Sequence, residues 1–224
     1  MALKCIESWK KFLPDYEIKE WNEKNFDVNI IPYTAEAYQA KKYAFVSDYA
    51  RFWILYHYGG LYFDTDVEVI KSLDDIIARG PFMGCETDPQ CGATAVGVAP
   101  GLGLGVNPGL GLYKKLLNYY ADLHFDPEHI RITIVGHTTQ VLRTMGLQEV
   151  NEIQQVGGVN IYPSEYFNPI NIITHRLHTT ANTRTIHHYA ATWKDKRDGS
   201  LKKMLQSMLP ERFLLWWNRV KGRK

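Results

Sequence analysis

The sequence predicts a layered α/β domain, on three observations. Helical-period and strand-like segments alternate from one end to the other, and no internal repeat or low-complexity linker divides the 224 residues. A hydrophobic share of 45% is enough for one sizeable core. Residues 3–12 open the pattern, placing Cys5, Ile6, Trp9 and Phe12 at helical spacing with Lys4, Glu7, Lys10 and Lys11 on the other side. Pro14-Asp15 ends that helix, and the alternation of Tyr16 to Trp21 predicts a half-buried strand. A second helix is expected from Ala35 to Lys42. A third is expected over Ala44 to Tyr58, stopped by Gly59-Gly60, and Leu61-Tyr62-Phe63 then reads as a short buried strand.

Beyond Asp64-Thr65-Asp66 the chain continues extended from Val67 to Ile70, and a short helix starts near Ser72-Leu73-Asp74-Asp75. The glycine-rich stretch from Gly92 to Gly111 does not fit a phosphate-binding loop: the spacing is not GxGxxG and no P-loop lysine follows. It is expected to be a loop on the substrate side. Helices are predicted for Pro108 to Leu123 and Thr138 to Met145, and strands for Ile161-Tyr162-Pro163 and Thr185 to Tyr189. Residues 1–200 are read as one catalytic domain and 201–224 as a basic amphipathic C-terminal helix.

Composition excludes some classes. A net charge of +2 gives no basic surface that would call for nucleic acid. No apolar run approaches the ~20 residues a membrane span needs, and no leader pattern is visible, so a cytoplasmic location is expected. Three cysteines (Cys5, Cys85 and Cys91) show no zinc-like spacing. Cys85 and Cys91 suit a disulfide, although sparse cysteines more often mark a reducing compartment. The 14 tyrosines and 6 tryptophans serve core packing or the flat faces of sugars.

Chemistry concentrates around residues 48–66. Strand side chains two apart share a face, so Tyr62, Asp64 and Asp66 project together if the strand persists. Two carboxylates side by side repel unless a cation lies between them, and oxygen ligands of this kind suit Mg²⁺ or Mn²⁺ with substrate phosphates. Alone, Asp-Thr-Asp also reads as a turn with solvated acids. Its setting argues otherwise. The acids follow a buried run directly, and Asp48 and Arg51 stand three apart on a helix that is otherwise almost wholly apolar, where charges are rarely buried unless paired or functional.

Ser47-Asp48-Tyr49-Ala50-Arg51-Phe52 and then Tyr58-Gly59-Gly60-Leu61-Tyr62-Phe63-Asp64-Thr65-Asp66-Val67 closely resemble the DXD-containing sugar-binding region of glycosyltransferase family 32. That family includes bacterial capsular-polysaccharide enzymes and yeast mannosyltransferases, and the clostridial glucosylating toxins share its core. Weaker similarity runs from Cys5 through Asn22 and recurs at Ile161-Tyr162-Pro163 and His187-His188-Tyr189.

The resemblance implies a GT-A-like nucleotide-diphospho-sugar transferase fold, here without the usual first strand. It implies a metal-dependent, retaining transfer of a hexose from a UDP- or GDP-sugar to a glycan or lipid-linked acceptor, as in surface polysaccharide synthesis. It gives Asp66 to the metal, and Asp64 to the ribose or the metal's water shell. Asp48 and Arg51 would meet the donor sugar's hydroxyls, and Tyr62 the nucleotide.

A late residue, often His, returns to the metal in such enzymes. Alternation puts His187 and Tyr189 on one face and His188 on the other, which favours His187. Trp193 and Lys194 would close over the diphosphate, with Lys194 opposing charge on the leaving group. No residue declares itself as nucleophile or base. A non-catalytic nucleotide-sugar binder and a metal-dependent hydrolase are the alternatives. The tail, Phe213 to Trp217 followed by Arg219, Lys221, Arg223 and Lys224, suits either peripheral contact with an anionic membrane or packing as a last helix.

Overall fold

A computed structural model describes residues 1–190 apart from Gly92, Ile130, Arg131, Ile172, Ile173 and His175. In chain order the elements are α1 (Ala2–Phe12), α2 (Pro32–Gln39), α3 (Tyr43–Tyr58), β1 (Gly60–Tyr62), β2 (Val67–Val69), α4 (Asp74–Ile77), β3 (Phe82–Thr87), β4 (Gly97–Val98) and β5 (Leu104–Val106). There follow α5 (Gly111–Ala121), α6 (Ile134–Arg143), β6 (Gln154–Val156), β7 (Val159–Tyr162), α7 (Ser164–Phe167) and β8 (Thr185–His187).

A mixed sheet in the order β1-β5-β3-β7-β6, with β4 also paired to β3, forms the middle layer. β3 and β7 run parallel, and β1 shares their direction because β5 is antiparallel to both β1 and β3. Strand alternation divides the core. Met83, Cys85, Leu104 and Ile161 face α2, α3, α5 and α6, whereas Phe82, Tyr162 and Leu102 join Phe63, Val67 and Phe167 under α1 and α7. β2 and β8 make a separate antiparallel ribbon, with Val67 opposite His187. This is a GT-A-like α/β fold.

Three expectations are corrected. Tyr16 to Trp21 forms no strand: residues 16–20 are exposed, and an alternating pattern with neither a partner edge nor a core face has nothing to hold it extended. The glycine-rich stretch is not one loop, because it contributes the buried strands β4 and β5. Its glycines are taken up by aromatic rings, since a side chain at Gly105 would meet Phe82 and one at Gly103 would meet Phe167. Helix α6 begins four residues before the expected Thr138, so Gly136 and His137 lie inside it. All three cysteines are free, and Cys91 Sγ donates to the Asp88 carbonyl. Trp193, Lys194 and the tail from 201 lie outside the described residues. Among the described residues no helix is long and apolar enough to cross a membrane.

Candidate donor-sugar and metal site

The site lies off the carboxyl ends of the like-directed strands β1 and β3, the edge where open α/β sheets gather ligands. Helix α3 supplies one wall. Its Arg51 side chain is only 4% exposed, and its guanidinium is held by four bonds. Nε donates to the Ser47 carbonyl at 3.0 Å, Nη2 to Ser47 Oγ and Asp48 Oδ1, each at 3.1 Å, and Nη1 to Asp64 Oδ1 at 3.0 Å. The guanidinium also lies 4.7 Å over the Tyr62 ring, whose hydroxyl donates to Asp64 Oδ1 at 2.8 Å. Four of arginine's five N–H groups are thus occupied, leaving one on Nη1.

One cation therefore serves two carboxylates. Burial dominates at Asp48 and pushes its carboxyl up to about 7, outweighing the pull of Arg51, and the nearby Asp64 charge adds to the rise. Burial works against the Arg51 cation, but Asp64, Tyr62 and Asp48 together hold its pKa above the ordinary value.

Asp64 does not reach the site by continued strand pairing. β1 ends at Tyr62, the Asp64 N–H donates to the Gly101 carbonyl at 2.9 Å, and a turn closed by Val67 N–H to Asp64 O carries the chain to Asp66. Asp64 can lie there because Gly101 has no side chain: a Cβ would collide with its carboxylate and stand 3.3 Å from Arg51 Nη1.

Ribbon β2–β8 brings in the last partner. His187 Nε2 lies 3.3 Å from Asp66 Oδ1, and the Ala190 N–H donates to Asp66 Oδ2 at 2.9 Å. Burial alone would raise the Asp66 carboxyl, but His187 and the Ala190 N–H hold it below the usual carboxylate range. His188 points the other way and meets Glu68 at 2.8 Å.

Asp64, Asp66 and His187 each offer one ligand atom within 4.8 Å of the others. Two oxygens and an imidazole suit Mn²⁺ or Mg²⁺, and Mn²⁺ takes the imidazole more readily. His187 turns Nε2 to the Asp66 carboxylate, and its Nδ1 is buried without a partner among the described residues.

A cavity of about 610 Å³ opens over these groups and takes in Asp48, Arg51, Tyr62, Asp64, Asp66 and His187 together. Glu86, Gly101 and Tyr189 also line it. Alternation had put Tyr189 on the face of His187 and the glycine-rich stretch holding Gly101 was expected on the substrate side, whereas Glu86 gave no signal in the sequence.

Comparison with known proteins agrees with this geometry. Residues 2–83 match the family described as the glycosyltransferase sugar-binding region containing the DXD motif. The chain is also 31% identical over 75 residues to inositol phosphoceramide mannosyltransferase 1 of Schizosaccharomyces pombe. That match covers 34% of this chain and 22% of the relative. Residues 2–83 are thus similar to the DXD-containing sugar-binding region of glycosyltransferases, and the chain spans about a fifth of the length of the mannosyltransferase it matches.

Proposed function

We propose that this chain is the catalytic domain of a metal-dependent, retaining glycosyltransferase. It would move a hexose from a UDP- or GDP-sugar to a glycan or lipid-linked acceptor. The observation that carries the reading is the convergence of Asp64, Asp66 and His187 within 4.8 Å at a cavity that also holds the Asp48–Arg51 pair. The mannosyltransferase name of the relative favours a GDP-sugar as the first donor to test.

Asp64, Asp66 and His187 would hold a divalent ion, which when bound would neutralise charge on the departing nucleoside diphosphate. Arg51 and Tyr62 fix the Asp64 carboxylate, and Ala190 fixes that of Asp66, so both are oriented before donor arrives. Asp48 and the remaining Arg51 N–H orient donor hydroxyls, for which a carboxylate and a guanidinium are strong partners. Trp193 and Lys194 close over the diphosphate on the sequence reading. The basic tail gives peripheral contact with a membrane bearing a lipid-linked acceptor.

The test is calorimetry of Mn²⁺ with GDP and with UDP, followed by a panel of sugar nucleotides assayed with and without saccharide acceptors. The expected outcome is Mn²⁺-dependent nucleotide binding and sugar transfer, both abolished by Asp66→Ala with the fold intact. Unchanged turnover in Asp66→Ala would end the reading. Binding without turnover would leave a nucleotide-sugar binder, and release to water that no acceptor diverts would leave a hydrolase.

A further inference from the structure

The four carboxylates lining the cavity are Asp48, Asp64, Asp66 and Glu86. Asp48 is tied to Arg51, and Asp64 and Asp66 belong to the cluster with His187. No Lys, Arg or His among the described residues pairs with Glu86. An acid in a ligand cavity with no cation of its own among the described residues calls for a use.

Glu86 is where the β3–β4 ladder slips. Cys85 pairs with Val98 and Thr87 with Gly97, so Glu86 is the extra residue of a β-bulge. Bulges turn a side chain away from its regular direction and cluster beside active sites. A second arrangement fixes it there. Asn168 Nδ2 donates to the Glu86 carbonyl at 3.0 Å and to the Tyr189 hydroxyl at 2.6 Å. Burial first, and then the charge of the nearby Glu86 carboxylate, push the pKa of that hydroxyl up. Tyr189 holds this position at φ +50°, an unusual conformation for a bulky residue, with its ring 4.2 Å from that of His187. β5 alone separates β3 from β1, and Glu86 and Asp64 line the same cavity of about 610 Å³, which has room for a hexose ring.

We infer that Glu86 is a catalytic residue, the carboxylate base that takes the proton of the acceptor's attacking hydroxyl. The inference rests on the glycosyltransferase reading above. The acceptor oxygen forms a bond to the anomeric carbon as the bond from that carbon to the diphosphate breaks. The hydroxyl proton passes to Glu86, the bonding pair leaves with the diphosphate, and Glu86 later returns the proton to water. Tyr189 and Asn168 are positioning residues that aim the carboxylate.

The experiment uses the full chain with Mn²⁺ and follows nucleoside diphosphate release from GDP-mannose, UDP-glucose and UDP-galactose, with water as acceptor. Calorimetric binding of Mn²⁺ with GDP or UDP is measured in parallel. Glu86→Gln is expected to lower kcat by about a hundredfold or more, the range for a lost acid–base group. Donor KM and nucleotide affinity should stay within about threefold of wild type, and Glu86→Asp should recover part of the loss. Tyr189→Phe should cost about tenfold in kcat, also without weakening nucleotide binding.

A Glu86→Gln kcat within about threefold of wild type would overturn the assignment, as would nucleotide affinity falling in step with kcat, the mark of a structural role. A wild type that binds metal and nucleotide yet turns over no donor would overturn the Glu86 role together with the transferase reading and leave a nucleotide-sugar binder, whereas an active Glu86→Gln overturns the Glu86 role alone. A wild type that binds neither would sink the glycosyltransferase reading and the Glu86 role with it.

Discussion

The two charged pairs of the site are built differently. Arg51 and Asp48 are set into the core on a sixteen-residue helix, with side chains 4% and 9% exposed. Asp66 and His187 sit at 17% and 16%, on a ribbon of three residues per strand outside the main sheet. A buried pair is dear to break, because removing one partner leaves an uncompensated charge, whereas a half-exposed pair can exchange partners when a cation enters. The first pair is scaffold as well as contact surface, and the second is free to serve a ligand.

The largest expected effect breaks the first pair. Arg51→Ala strands Asp48 and removes a cation from Asp64, and should cost about 3–5 kcal/mol in urea unfolding. Asp66→Ala should lower the unfolding midpoint much less than Arg51→Ala does, while weakening Mn²⁺ binding at least about a hundredfold by calorimetry. Equal losses of stability in the two variants would erase the contrast.

Acid titration sharpens it. Burial raises Asp48 to about 7 in the folded chain, so between about pH 4 and 7 the native state binds more protons than the unfolded state. Its contribution is full below the unfolded value and is lost as pH rises through the folded one, on the order of 4 kcal/mol. Asp66 runs oppositely: its lowered carboxyl supports the fold above its unfolded pKa, and that support fades as pH falls. Urea melts of Asp48→Asn against wild type across pH 4 to 8 isolate the first effect. The variant should gain relative stability steadily toward pH 7 and hold it above.

A smaller effect is expected at Gly101. Gly101→Ala pushes a methyl group at the Asp64 carboxylate and should weaken nucleotide binding about tenfold, or roughly 1.4 kcal/mol, with a circular dichroism spectrum like the wild type's. Smallest of all is Lys4→Ala. Lys4 bridges Glu68 at 2.8 Å, but its side chain is 65% exposed, so the change in urea stability should stay below about 1 kcal/mol.

How far the site could be read from sequence follows from distance along the chain. Asp48, Arg51, Asp64 and Asp66 fall within nineteen residues, so helix and strand spacing alone brings them near one another. The side of His187 followed from alternation in β8. Glu86 had no such signal, since its direction depends on a bulge against β4 and on bonds made by residues 168 and 189. The role of Gly101 depends on the Asp64 carboxylate, thirty-seven residues earlier. Tyr16 to Trp21 shows the converse: a clean local alternation gives no strand where no edge awaits it. The main sheet was legible as short apolar runs, but the share of it contributed by glycines was not, because rings from distant strands fill those places.

Ribbon β2–β8 carries one more consequence. Two paired strands leave an open outer edge, which in most proteins invites pairing with another chain. Here helix α1 lies along that edge: Trp9 Nε1 donates to the Val67 carbonyl at 2.8 Å, and the Val69 N–H donates to Ser8 Oγ at 2.9 Å. Side chains of a helix do the work of a missing third strand. The ribbon can therefore stay short and adjustable beneath Asp66 without becoming a place where copies of the protein stick together.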